Sequence, residues 1–445
     1  MKKFKLTYVL VLAAILLGSY VYFFEKEEIT TTGKEVYVVK EDQINKFLLE
    51  QSGQPEKKEL QGEKIDGKWW ITAPKKYETD EGEINTLLQK LAKPESDREI
   101  EKKPADLKIY GLEIPSFQAT VWLVDGSSRS FVVGDETPIR GSFYLKNTAG
   151  ATVYTIASAQ LAGFKKETKD LRKKNIMEIE TEKIEQLEIV SRAKKIFIEK
   201  TGGKWYLKKP KEFEVTASGV EGLLNTLKNL WAQSFVEDEP KNLKIYGLDK
   251  PQLTARVWQG KEKAVVAILV GDKLKDKEEH YARREGLAPV YTVSAGFLKD
   301  LDRDPNEIRD RQVLNKDLSG FDKIEIQTNQ GKKIVCQIEK TDKTEKWFIV
   351  QPNKIEADAE ISVLASQLGI LYVSIFTDDQ PAGLAQYGLE QPVYTVSVHK
   401  QNNLLRTFLL GKEKDSNVYL KTADQQSVYQ VDKNILDKIA AALKK

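Results

Sequence analysis

The sequence predicts an α+β class, with an N-terminal transmembrane helix followed by three tandem repeats of a mainly antiparallel sheet. Each repeat is expected to carry one long and one or two short helices. Three observations lead there. A long uncharged stretch lies near the start, seven landmarks recur three times in one order, and short alternating segments outnumber helical ones within each recurrence.

Leu6 to Phe24 holds nineteen residues without a charge. At about 1.5 Å per residue this is about 28 Å of helix, near the hydrocarbon thickness of a bilayer. Lys2, Lys3 and Lys5 precede it, and Tyr20, Tyr22, Phe23 and Phe24 close it. Lysines on the cytoplasmic side and aromatic rings at the interface are the expected flanks of a membrane span. The expectation is therefore a single-pass protein of the cytoplasmic (inner) membrane. Its N-terminus would lie inside, it would contact membrane lipid through this helix, and its bulk would be extracytoplasmic or periplasmic. A cleaved signal peptide is the competing reading, although the aromatic run makes a poor cleavage region.

The repeats come next. Lys108-Ile-Tyr110-Gly111-Leu112-Glu-Ile-Pro115 returns as Lys244-Ile-Tyr246-Gly247-Leu248-Asp-Lys-Pro251 and as Gln386-Tyr387-Gly388-Leu389-Glu-Gln-Pro392. The tyrosines are 136 and then 141 residues apart. Upstream stand Trp70, Trp205 and Trp347, each followed by a proline, namely Pro74, Pro210 and Pro352. Downstream stand Val133-Gly134-Asp135, Val270-Gly271-Asp272 and Leu410-Gly411-Lys412. A lone tyrosine follows (Tyr144, Tyr281, Tyr419), then a Val-Tyr pair ending at Tyr154, Tyr291 and Tyr429. A period this long exceeds that of solenoid repeats, so each copy is read as a domain with its own core. The expected layout is residues 1–28 for the cytoplasmic start and anchor, then repeat domains at 29–165, 176–302 and 313–445. Charged connectors at 165–174 and 300–311 interleave both signs and are read as solvated linkers.

Within the second copy, residues 184–190 and 194–200 alternate apolar and polar, as half-buried strands do. Thr201-Gly202-Gly203 turns the chain into a third strand at 205–207. Val220, Leu223, Leu224, Leu227, Leu230 and Trp231 then share one helical face, with Thr216 placed to cap it. Asp80 and Asp358 stand near the corresponding starts in the other copies. Further short strands follow at 253–258, 265–270, 280–283 and 290–293, before a final helix near Ser294.

Composition narrows the function. The chain has 445 residues, with 70 Lys and Arg against 67 Asp and Glu, a net charge of +3. No nucleic acid is expected as a partner, because no basic stripe interleaved with aromatics exists. The single cysteine, Cys336, permits neither an intrachain disulfide nor a four-thiolate metal site. No phosphate-binding loop, nucleophile elbow or His-Glu-x-x-His helix occurs, so neither cofactor nor metal is expected. His280 and His399 occupy different positions in different copies and form no repeated site; His280 is read as facing solvent.

The Tyr-Gly-Leu-x-x-Pro motif has a structural explanation. Asp238, Glu239 and Pro240 suit the first turn of a short helix, Gly247 suits the left-handed position after it, Leu248 folds onto the core and Pro251 opens the next strand. The Gly-Asp pairs are read as turns, since the third copy has Lys412 where a repeated acid would stand. The tryptophans are read as core anchors. Trp69, beside Trp70, must point to the opposite face of its strand and is the candidate surface contact.

These motifs in this order resemble the bacterial family catalogued as domain of unknown function 4340, in three copies covering nearly the whole chain. That resemblance implies a membrane-anchored envelope protein with no established activity. Relatives encoded beside ABC-type transporter components imply an accessory or partner-binding role toward transporter subunits. A non-enzymatic protein presenting three similar domains is the leading expectation, and a cell-wall or glycan-binding module using Trp69 is the alternative.

Overall fold

A computed structural model describes residues 34–444 apart from 53–56, 261, 263, 315, 317 and 341–343. Nine strands form the first sheet: β1 (Ile44–Gln51), β2 (Lys58–Ile65), β3 (Lys68–Ala73), β4 (Tyr77–Glu78), β5 (Arg98–Glu101), β6 (Phe117–Leu123), β7 (Ser128–Glu136), β8 (Ser142–Asn147) and β9 (Val153–Ala157). Their order across the sheet is β4-β3-β2-β1-β6-β7-β8-β9-β5, and the ladders whose register is resolved run antiparallel. The second and third sheets have nine strands in the same order, beginning at edge strands Phe213–Val215 and Ile355–Glu356. By compactness the chain divides into one unit of residues 1–176 with 231–238 and another of 177–230 with 239–445.

The expected α+β class with a transmembrane helix is corrected on two points. Strand dominates: each copy is a nine-stranded antiparallel sheet with few helices. The underestimate comes from edge strands of two to four residues, such as β4 and Ser234–Glu237, which are too short to show alternation. Among the described residues no helix is long and apolar enough to cross a membrane. The stretch from Leu6 to Phe24, on which the single-pass anchor rested, lies outside the described residues.

The long helix of each copy covers one face of its sheet because its apolar residues recur at helical spacing. In helix Glu81–Ala92, Ile84, Leu87, Leu88 and Leu91 are buried, and Asp80 accepts hydrogen bonds from Gly82 N (3.0 Å) and Glu83 N (3.1 Å). In helix Ala217–Lys228, Val220, Leu223, Leu224 and Leu227 are buried, and Thr216 accepts from Gly219 N at 3.1 Å. That helix ends before Leu230 and Trp231, and Trp231 is 46% exposed. The third helix, Asp358–Gly369, departs at its start. Asp358 is its first residue and accepts from Trp347 N (2.9 Å), tying the helix to its neighbouring strand instead of capping it. Each fully buried leucine of these faces contributes about 1.5–3 kcal/mol.

The tryptophan assignment shifts by one residue. Trp69 pairs with Lys64 across the ladder, as Trp205 pairs with Lys200 and Trp347 with Ile338. Trp69, not Trp70, is therefore the counterpart of Trp205 and Trp347, five residues before its proline in each copy. Its ring packs on Phe47 at 5.7 Å, while Trp70 lies on the other face under Lys76 Nζ at 4.7 Å. The peptide bond before each of the three prolines is cis.

Glycines separate open from crowded positions. Gly222 lies in a helix with nothing near a would-be Cβ, whereas a Cβ on Gly271 would overlap the Tyr246 carbonyl oxygen. We expect Gly222→Ala to stabilise the protein by about 0.5–1 kcal/mol and Gly271→Ala to destabilise it by about 2 kcal/mol or more. Urea unfolding midpoints check this, and shifts of one sign for both would refute it.

Candidate functional site

The Tyr-Gly-Leu motif builds a second, smaller core in each copy. The 3-10 turns Lys108–Tyr110, Leu243–Tyr246 and Ala385–Tyr387 end on Gly111, Gly247 and Gly388, whose φ values are 65°, 65° and 68°. Leu112 N donates to Leu107 O and Gly111 N to Lys108 O, which is a Schellman closure and demands a left-handed residue. The turn in the second copy starts later than the acidic residues suggested: Asn242 caps it, accepting from Lys244 N at 3.0 Å. Pro115, Pro251 and Pro392 stand two residues ahead of strands Phe117–Leu123, Leu253–Gln259 and Tyr394–Lys400. Each motif tyrosine meets its partner ring (Tyr144, Tyr281 or Tyr419) at 4.8, 4.9 and 5.1 Å. Tyr110 Oη donates to Glu101 at 2.6 Å, and that hydrogen bond pushes the phenol up to about 12. Tyr387 Oη donates to Asp378 at 2.9 Å.

The Gly-Asp pairs complete these small cores. A Cβ on Gly134, Gly271 or Gly411 would strike the carbonyl oxygen of Tyr110, Tyr246 or Tyr387, so the two segments touch backbone to backbone. The carboxyls of Asp135 and Asp272 lie against Gly111 and Gly247, and in the third copy the Lys412 backbone stands there. His280 is buried, not solvent-facing, with Nδ1 3.2 Å from Gly271 O. Burial pushes the Cys336 thiol up to about 12. Among the described residues no group of His, Cys, Asp and Glu could hold a metal ion.

The connectors hold the main surprise. Arg172 and Arg309 were expected in solvated linkers, yet they are only 9% and 7% exposed. Within the second unit the Arg309 guanidinium lies between the rings of Phe213 (4.4 Å) and Phe376 (4.1 Å). Its two terminal nitrogens donate to the two carboxylate oxygens of Asp379 at 3.0 and 2.9 Å. Within the first unit Arg172 repeats this between Tyr77 and Phe235, both at 4.1 Å, with Asp238 at 2.6 Å. The backbone geometry is also shared, since Arg172 bridges to Thr79 and Arg309 to Val215. A planar cation stacked on two rings and forked onto a carboxylate is the arrangement that suits arginine and not lysine. Burial pushes the Asp379 carboxyl up, but Arg309's hydrogen bonds and charge, then the Ser427 hydroxyl, outweigh it and hold it below its ordinary 3.8. At Asp238 burial is likewise outweighed by the hydrogen bonds of Tyr77 and Arg172.

A family model described as Domain of unknown function (DUF4340) matches residues 69–206, 205–359 and 347–445. The chain belongs to the DUF4340 family. A search of curated proteins gives no match. The DUF4340 matches begin at Trp69, Trp205 and Trp347, the same three residues that the strand register makes equivalent. The DUF4340 unit is thus out of phase with the sheets and runs across each arginine connector.

One further feature lies at the start of the first DUF4340 match and draws on residues that precede it. A cleft of about 800 Å³ opens beside Trp69, between strand β3 and the start of helix Glu81–Ala92. Sequence reasoning named Trp69 but not the cleft, whose walls come from residues far apart in the chain.

We expect Arg309→Met to destabilise the protein by about 2–3 kcal/mol, less than a fully buried pair because Asp379 keeps some water. Asp379 is held below its ordinary value, so its contribution is complete above pH 4 or so and is lost as pH falls through the folded value. Acid unfolding series should show this loss in the parent chain and its absence in Arg309→Met; parallel curves would refute the assignment.

Proposed function

We propose that this protein works by binding a partner through an array of similar modules and catalyses no reaction of its own. The observation that carries this reading is the Arg309 site, where side chains of the second and third copies close on one buried cation. A connector built this way presents two modules as one continuous body, which suits a binding surface spread over several modules. Two further features support it. Asp135 and Asp272, the acids best placed for chemistry by sequence, lie against glycines of the small cores. Ile109 and Ile245, at matching places in the Tyr-Gly-Leu turns, are 67% and 63% exposed. Apolar residues held outward at repeated positions are suited to contacting another protein. The partner class to test first is the transport complex that the family resemblance implies.

A photo-crosslinking residue placed at 109 and, separately, at 245 in the native host should give adducts with the same transport-complex polypeptide. Asp135→Asn with Asp272→Asn should leave that yield unchanged. Adducts with unrelated proteins at the two positions, or none, would overturn the reading. Loss of host function in the double Asn variant with crosslinking intact would point instead to chemistry at those acids.

A further inference from the structure

We propose that the cleft beside Trp69 binds a neutral, polyhydroxylated ligand, a segment of glycan. This goes beyond the partner-binding reading and concerns the first copy alone. The argument begins with a latch seen in the other two copies. Glu214 and Glu356 occupy the same ladder position as Glu78, opposite the residue that follows the tryptophan. In the second copy Lys204, which precedes Trp205, pairs with one oxygen of Glu214 at 3.6 Å while Lys316 holds the other. In the third, Lys346, which precedes Trp347, pairs with Glu356 at 2.6 Å. Trp205 and Trp347 are each only 7% exposed.

In the first copy the latch is open. Glu78 accepts instead from Lys173 at 3.1 Å, and Lys68, the counterpart of Lys204 and Lys346, has no ion pair among the described residues. Trp69 is only partly buried and lines the cleft. Around it stand three lysines that have no carboxylate partner among the described residues, Lys40, Lys64 and Lys68, together with Glu41, Asp42, Glu81 and the amide of Asn85. Ammonium groups only donate hydrogen bonds, carboxylates only accept them, and an amide does both. An anion would be repelled by one half of this lining and a cation by the other. A sugar satisfies both halves, because each hydroxyl donates and accepts, and its apolar ring face matches an indole floor. The volume of about 800 Å³ suits an oligosaccharide and exceeds what a single ion needs.

The full-length chain should be titrated by calorimetry with soluble tetrasaccharides of N-acetylglucosamine, glucose and mannose. At least one should bind at millimolar concentration or better. Asn85→Ala and Lys68→Met, both at exposed positions, should each weaken it measurably, and Trp69→Ala by about tenfold. Trp70→Ala, on the opposite face, should leave affinity unchanged. Because Trp69 also touches the core, the two exposed variants decide the question if Trp69→Ala fails to fold. No binding by any of the three sugars, or binding indifferent to Asn85→Ala and Lys68→Met, overturns the proposal. Either result leaves the crosslinking test of partner binding separate.

Discussion

A guanidinium taken out of water must have both faces covered and its charge answered, and this constraint organises the connectors of the chain. Stacking alone would cover Arg309 without neutralising it, and Asp379 alone would leave its faces to water. Together they satisfy the group. The requirement reaches outward. Asp379 is itself held by Ser427, and Arg311, two residues on, donates to Val373 O and Ser374 O. Within a connector that is otherwise largely exposed, Ile308 and Arg309 are thereby buried.

The small cores obey a different constraint, backbone contact without intervening side chain. Three tyrosine carbonyls meet three glycines that cannot carry a Cβ, and the ring pairs then seal the site. The motif is repetitive because every residue in it has a packing reason, and that makes it a poor guide to activity. Differences between copies are the better guide. Glu78 and Glu214 both take a lysine from the segment that follows, Lys173 and Lys316, but among the described residues only the first copy leaves the lysine before its tryptophan, Lys68, without an ion pair.

Much of this architecture was legible in the chain. The three copies, the long helices with their buried faces, and the left-handed glycines follow from spacing that local physics dictates. What stayed hidden shares a cause. Strands β4, Phe213–Val215 and Ser234–Glu237 are too short for a period to show, and they carry Tyr77, Phe213 and Phe235. Arg172 and Arg309 sit among lysines and acids that truly are solvated, so nothing local marks them as buried. Alternation within strands was anticipated correctly, yet placing Trp70 in the core instead of Trp69 turned one strand over, as a one-residue slip must.

The mismatch in phase between the DUF4340 unit and the sheets has a practical corollary for anyone dissecting the chain. A fragment spanning 69–206 would retain Arg172 and Tyr77 but discard Phe235 and Asp238, stranding a cation with neither lid nor counter-ion. It would also forfeit β1 and β2 and sever strand Lys204–Lys209 midway. Severance at the homology borders thus parts Arg172 from half of its site, whereas a piece that retains Phe235 and Asp238 keeps that site whole.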